Sequence, residues 1–326
     1  MPTLALDATT LEKLVSAAVA APSIHNSQPW RFRLQPDTST LEVWADRSRT
    51  VPAADPQGRA LHISVGTAVL NLRIAARHLG WAPEVRLLPD PGTPDLFATV
   101  QLDTPAAAPV RGIGELYEAI WHRHSTRTPF TDKPVPPAVL DELVTTARSE
   151  EALLHLPDHE ETARLLHLTA EAERRNTTDE PQRTESRSWI RTGDASPYGI
   201  PATALGPQDR SGHLPMRDFA AIRAAEHQAP AAFEAEPRIA VLATGHDTPG
   251  DWLRAGLALE HVLLAATVHG VRTSLLHQAM EWPYLRWEAR DPHQGPGYVQ
   301  MLIRLGYGPG GAPTPRLGPG DVLEQP

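Results

Sequence analysis

No cysteine occurs among the 326 residues, which excludes a disulfide framework, a thiolate metal site and a cysteine nucleophile. Redox chemistry, if the chain performs any, must come from a bound cofactor. Long apolar runs are missing too, since no window reaches the roughly 18 apolar residues that a membrane-spanning helix needs. The stretch from Met1 to Ala20 is interrupted by Asp7, Glu12 and Lys13 and reads neither as a signal peptide nor as a spanning segment. A cytoplasmic protein is the expectation, and the sequon Asn176-Thr177-Thr178 then carries no meaning. Excess positive charge is also lacking. A formal net charge of −9 repels nucleic acid and anionic membranes, but it does not preclude a local basic pocket for one phosphate.

What is present is ordinary for a soluble globular protein, with 41% hydrophobic and 21% charged residues. The length suits about two domains, or one domain built twice. The 33 prolines announce many turns and rigid connections. Two segments repeat. Gly66 to Gly80 aligns with Gly256 to Gly270 at an offset of 190, with glycines at both ends and an Ala-Ala pair in register. Each reads as an apolar helix of about four turns closed by a left-handed glycine cap. Leu11 to Ala18 aligns with Leu140 to Ala147 at an offset of 129. Amphipathic helices resemble one another, but two matches in the same order favour duplication. The offsets differ by 61, which calls for an insertion within 150–236 of the second copy.

The apolar periods predict helices at 8–20, 58–79, 114–122, 137–148, 159–175 and 251–269. Strands are predicted near 30–34, 40–45, 84–88, 96–102, 152–156, 238–244 and 298–305. Helices and strands do not alternate regularly, so the expected class is α+β rather than a doubly wound parallel sheet. The expected division is a first half at 1–110 and a second at 111–326. A stretch at about 176–230 has no long apolar period and reads as a lid docked through Trp189, Tyr198, Leu205, Leu214, Met216 and Phe219.

Two short stretches carry the chemistry. One runs from Ala21 to Trp30 and holds Pro22, Ser23, Asn26 and Gln28; the other is Arg123-His124-Ser125-Thr126-Arg127, followed by Pro129-Phe130. Arginines suit a phosphate through charge-assisted, often bidentate hydrogen bonds, and Arg123, Arg127 and Arg316 are candidates with Ser125 as a neutral partner. Composition alone favours arginines that cap or solvate a helix end. Taken together, however, Arg123 to Arg127 with Pro129-Phe130, and Pro22-Ser23-x-x-Asn26-Ser27-Gln28-Pro29-Trp30, resemble the FMN-dependent nitroreductases. The resemblance continues through 251–269, Gly270 to Gln278 and Leu305 to Leu317. The subgroup it is most similar to is the Acg-like nitroreductases of actinobacteria, on Asp46-Arg47-Ser48-Arg49 and Asp55-Pro56-x-Gly58-Arg59.

That resemblance implies an FMN oxidoreductase built as an internally duplicated, single-chain pseudo-dimer with a lid in its second half. Each half keeps one of the two motif stretches, so one site survives of two. Arg123 and Arg316 are assigned to the phosphate, Ser125 to phosphate or ribityl oxygens, and Arg127 to the ribityl chain or the ring's O2 edge. Pro22, Ser23 and Asn26 are assigned to the ring, with Gln28 and His124 counted beside them. The backbone of Leu276, His277 and Gln278 is assigned to N5. Two departures stand out, namely Thr314 in place of a second cation beside Arg316, and the acidic run Phe233-Glu234-Ala235-Glu236 near the expected ring. The flavin carries the chemistry in such enzymes, so no catalytic side chain and no metal ligand is expected. The implied partners are FMN and NAD(P)H or a small-molecule substrate, and the implied state is a monomer. The alternative is a protein that sequesters FMN under its lid with little turnover.

Other signals fall away. Gly306-Tyr307-Gly308-Pro309-Gly310-Gly311 matches G-x-G-x-x-G, but its prolines bar the helix that must receive a pyrophosphate. His261, His269 and His277 are eight apart, so on a helix each is rotated about 80° from the last and they cannot share one ion. Zinc and serine hydrolase motifs are absent from the sequence.

Overall fold

The computed structural model describes residues 6–108, 110–191, 196–219, 229–290 and 297–324. The first part runs α1 (Ala8–Val19), β1 (Trp30–Gln35), β2 (Thr40–Ala45), α2 (Arg59–His78), β3 (Glu84–Leu87), β4 (Leu96–Gln101) and α3 (Ile113–His122). Then follow α4 (Pro137–Ser149), β5 (Leu153–His155), α5 (His159–Thr178), α6 (Glu180–Ser188), β6 (Ile190–Arg191) and β7 (Ile200–Pro201). The chain finishes with β8 (Arg238–Thr244), α7 (Pro249–Val268), β9 (Arg272–Leu276), α8 (Pro283–Glu288), β10 (Tyr298–Gly306), α9 (Pro319–Val322) and β11 (Leu323–Glu324). This mixed arrangement is α+β, as expected.

Two sheets carry the same order. The first is β11-β1-β2-β4-β3 and the second β5-β8-β10-β9; without β11, each strand of one matches its counterpart in the other. Helices correspond as well, α1 with α4 and α2 with α7. The central pair, α2 and α7, buries 17 and 14 of 20 residues respectively, as helices covered on most sides must. Both end alike. Gly80 and Gly270 take positive φ of 95° and 68°, and the next N–H in each case, from Trp81 and Val271, reaches back to the carbonyl of Ala76 or Ala266 at 3.0 and 2.9 Å. That is a Schellman cap repeated at the same offset.

The helices meet at the repeat's opening glycines. A Cβ on Gly66 would stand 2.3 Å from the Leu253 carbonyl oxygen, and one on Gly256 would stand 2.2 Å from the Ile63 carbonyl oxygen. The two clashes are each other's image under the 190-residue offset. Glycine is therefore needed here for close backbone approach, not for its φ.

Three differences from the sequence expectation arise from long-range packing. Between β5 and β8 the second part carries residues 156–237, where the first has only 36–39 between β1 and β2. The extra material thus includes α5 and starts well before 176; residues 192–195 and 220–228 of it lie outside the described residues. Second, Ala119 and Ile120 of α3 and Leu317 and Val322 of the tail belong to the core of the first part, although all lie beyond residue 110. β11 pairs parallel with β1, Phe32 opposite Leu323. Third, β9 pairs with β10, Ile303 opposite Leu275, and no alternating pattern announced it. Among the described residues, no helix is long and apolar enough to cross a membrane.

One buried carboxylate of the added segment sets a pH dependence. Glu173 on α5 accepts the Asp218 N–H at 2.8 Å through Oε1, while Oε2 has no hydrogen-bond partner among the described residues. Burial pushes its pKa up from 4.5 to about 7. A carboxyl raised in the fold contributes its full stability below the unfolded pKa and loses it as pH rises through the folded one. Glu173→Gln is expected to melt higher than the wild type at pH 8 and with it at pH 4, below the unfolded pKa. Partial solvent access trims the gain to about 1–2 kcal/mol. Equal melting curves at pH 8 would refute this.

Candidate functional site

The stretch after α1 turns sharply. His25, Asn26 and Gln28 have φ of 50°, 53° and 52°, a left-handed conformation that is uncommon for residues with a side chain and needs support from its surroundings. That support comes from several sides. Ser64 Oγ on α2 accepts the Ile24 N–H at 3.1 Å, and Ser23 Oγ accepts the Gln28 N–H at 2.9 Å. Asn26 Nδ2 donates to the carbonyls of Gly199 and Pro315 at 2.9 and 3.0 Å. Gln28 Nε2 donates to the Pro197 carbonyl at 2.7 Å, and its Oε1 accepts the Leu317 N–H at 2.9 Å. The loop is thereby tied to α2, to the added segment and to the tail.

The arginine stretch follows α3 and runs beside the free edge of β9. Thr126 N–H donates to the Thr273 carbonyl at 2.8 Å, and Ser125 forms a parallel bridge with Thr273. Gly311 and Gly206 let neighbouring backbone close on it, since a Cβ on either would lie 2.4 Å from the Ser125 oxygen or 2.5 Å from the Arg127 oxygen. The result is a fixed row of side chains facing the loop at 22–28.

Between these rows lies a cavity of about 1080 Å³, part of it open to solvent. Its walls include Pro22, Ser23, Asn26, Arg123, His124, Ser125, Arg127, His277, Gln278 and Arg316, ten of the twelve residues singled out from sequence. The side chains of the other two point elsewhere, although Leu276 was assigned to the site through its backbone. Gln28 is fully buried and spent on Pro197 and Leu317. Leu276 packs into a core with Ile239 and Leu302, because strand alternation sends Leu275 to the cavity instead. Glu234 is no ring neighbour. It pairs with Arg304 and accepts the Phe130 N–H at 3.0 Å.

At one end of the cavity two guanidinium groups converge. Arg123 Nη2 and Arg316 Nη2 both donate to the Ala20 carbonyl, at 3.3 and 3.4 Å. Arg316 Nη1 also donates to Asn26 Oδ1 at 2.9 Å and Thr314 Oγ1 at 2.5 Å. Yet the Nε of each is buried without a hydrogen-bond partner among the described residues. Burial and the neighbouring Arg123 lower the Arg316 pKa to about 9. The Glu260 carboxylate, 3.4 Å from Arg123 Nε, is fully buried below them. Two cations set against one carboxylate, with donors to spare, form a site suited to an anion.

The opposite wall was not evident from sequence. Arg217, Phe219 and Ile200 of the added segment line it, and the Phe219 ring stands 5.5 Å from both the Arg127 and the Arg217 guanidinium carbons. Arg217 pairs with buried Glu281, whose pKa falls to about 2 against burial through Arg217 and His277. His277 Nε2 lies 2.8 Å from Arg59 Nη2 and Nδ1 lies 3.0 Å from Glu281. Arginine only donates, so Nε2 is the acceptor and Nδ1 carries the proton. Burial lowers the pKa of His277, and that of His25 to about 3, so both rings face the cavity neutral. Of the three wall residues from the added segment, only Phe219 had a sequence signal, as an apolar anchor in a polar stretch.

No protein-family model matches the chain. A Mycobacterium tuberculosis protein bearing the name NAD(P)H nitroreductase is 33% identical over 328 residues, covering 98% of this chain and 92% of its own. An uncharacterised protein of that organism is 31% identical, covering 96% and 92%. Another, named NAD(P)H nitroreductase acg, is 27% identical over 95% and 92%. Among solved structures, the FMN and NADPH-dependent nitroreductase NfnB of Sphigopyxis sp. strain HMH is 17% identical, covering 65% of this chain and 98% of its own at a TM-score of 0.40. A Desulfovibrio desulfuricans protein described as a nitroreductase in complex with FMN is 15% identical over 65% and 96%, at a TM-score of 0.38.

Proposed function

Because the chain belongs to the nitroreductase family, we propose that it is an FMN-dependent oxidoreductase that passes electrons from NAD(P)H, or from a reduced substrate, to a nitroaromatic, quinone, enone or biosynthetic intermediate. The observation that carries this reading is the pair of converging arginines, Arg123 and Arg316, lining the cavity and set against a single buried carboxylate, Glu260. They fit a phosphate. The polar loop at 23–26 and the segment 275–278 flank the space beyond, where a flat ring fits. FMN, when bound, supplies the hydride and electron transfer.

The protein's own contribution is placement. Arg123 and Arg316 hold the phosphate, Ser125 its neighbouring oxygens, and Arg127, with no carboxylate partner among the described residues, offers a cation beside the ring. Arg127 is half-buried, and its pKa drops to about 10 through burial and the nearby Arg217; it stays charged and favours negative charge developing on a neighbour. The two motif stretches, one from each half of the chain, line the same cavity. One chain thus does the work of a dimer, and monomer is the proposed state.

A second reading has its own support. Arg217, Phe219 and Ile200 wall the cavity where a nicotinamide would stack, and Asn26 and Gln28 bind that segment through Gly199 and Pro197. A segment docked in this way acts as a lid, and a lid that stays closed makes a protein that sequesters FMN. Anaerobic mixing of the FMN-loaded protein with NADH and with NADPH separates the readings: rapid bleaching of the flavin is the enzyme's result, and none is the sequestering protein's. If the lid gates access, Phe219→Ala is expected to speed bleaching on the order of tenfold. A colourless protein that gains no thermal stability from FMN would sink both readings.

A further inference from the structure

Glu260 lies in the middle of α7 with no exposed surface, its carboxylate held by the Arg123 guanidinium at 3.4 Å and by the Asn71 side chain. Its counterpart across the 190-residue offset is Leu70 of α2, a fully buried member of the first apolar core. A carboxylate therefore stands at this place only in the helix copy that faces the converging arginines. Burying a carboxylate is costly even when it is paired, and a core position with no charge to match is better filled by leucine, as at Leu70.

The groups around Glu260 come from three elements. Arg123, after α3, brings Nε to 3.4 Å. Arg316, from the tail, and Asn71, on α2, also act on it. Asn71 donates its Nδ2 to the Ala17 carbonyl at 3.1 Å, leaving an Oδ1 without a donor. His124 is close to the same arginines, whereas His261, next in sequence, pairs with Glu150 at 2.8 Å. Burial pushes the Glu260 carboxyl up to about 7, against the pull of Arg123, Asn71 and Arg316. Near neutral pH the group stands at the edge of ionisation.

A phosphate monoester carries nearly two negative charges. Placed on Arg123 and Arg316, it competes for the charge that keeps Glu260 ionised and adds a like charge nearby, both of which favour the neutral carboxyl. We propose that Glu260 is a positioning residue that holds Arg123 before a phosphate-bearing ligand arrives and takes a proton from solvent when that ligand binds. The proposal rests on the reading of the cavity as an FMN site. No covalent bond changes; the ligand's charge is partly offset by one proton drawn from water.

The test is titration calorimetry of FMN into the apo full-length chain at pH 8, in buffers of different ionisation enthalpy. At that pH free phosphate is already fully ionised, so it releases no proton of its own. Wild type is expected to take up roughly 0.5–1 proton per FMN. Glu260→Gln and Glu260→Leu are expected to bind FMN with no uptake, and riboflavin, lacking the phosphate, should show none with wild type. Should neither variant fold, wild type still puts the proposal at risk: its FMN affinity should fall by up to about tenfold per pH unit between pH 7 and 8.5 while its riboflavin affinity stays flat, and a flat FMN affinity overturns it. FMN binding without uptake overturns the proposal. So does uptake retained in Glu260→Gln, which would assign the proton to His124 or Arg316. Failure of wild type to bind FMN overturns instead the reading on which the proposal rests.

Discussion

Gly256→Ala is expected to cost more than about 3 kcal/mol of stability, the upper end of what overpacking usually costs, and to leave little folded protein. The new methyl group would sit 2.2 Å from the Ile63 carbonyl oxygen and 2.8 Å from the Gly66 Cα. Both are backbone atoms of a buried helix, so no side chain can swing aside. Alanine's better helix propensity returns only about 1 kcal/mol. With total stabilities typically about 5–15 kcal/mol, the loss is a large share of the fold. Gly66→Ala should behave likewise, its methyl group meeting the Leu253 oxygen at 2.3 Å. Gly114→Ala is the control, since nothing lies within 4 Å of its Cβ position, and it should be neutral or stabilising. Urea melts of the three variants decide the matter. Similar midpoints for Gly256→Ala and Gly114→Ala would mean that the helices do not touch there.

The second large effect concerns the cofactor. Arg123→Ala and Arg316→Ala are each expected to weaken FMN binding by roughly 1.5–3 kcal/mol, the range for a hydrogen bond to a charged group, or about 10- to 150-fold in affinity. Riboflavin binding should change far less in both, because the lost contact is to the phosphate. Flavin fluorescence quenching measures all four affinities. Unchanged FMN affinity in both variants would move the phosphate elsewhere in the cavity. An equal loss for riboflavin would mean that the arginines shape the cavity instead of holding an anion.

Much of this was legible in local sequence because it is locally encoded. The glycine-bracketed repeat located α2 and α7 and their caps, since a left-handed cap favours glycine; that the opening glycines mark the helices' crossing came only from the structure. The two motif stretches brought Ser23, Asn26, Arg123 and Arg127 to one cavity. What escaped is decided by distant partners. β11 has only two residues, and its place is set by β1. Leu276 and Leu275 are indistinguishable by type, and only the pairing of β9 with β10 tells which faces the cavity. Arg217, Glu281, His277 and Arg59 form one chain of contacts from segments far apart in sequence. Glu260 could have been noticed. Its alignment with Leu70 set a charge against an apolar residue inside a buried helix.

The duplication also accounts for why one site is expected instead of two. Where the first copy presents Ala20-Ala21-Pro22 after its helix, the second presents Ser149-Glu150-Glu151. Glu150 pairs there with Arg73 and with His261, and Glu151 with Arg254 at 3.1 Å. Carboxylates stand where the first copy keeps small residues, and the cations beside them are engaged in those ion pairs instead of being left for a phosphate.

The count of flavins per chain tests the central claim most directly. Titrating FMN into the purified protein, with bound flavin measured against protein concentration, is predicted to saturate at one FMN per 326-residue chain. Saturation at two per chain, or no saturable binding at all, would contradict the account.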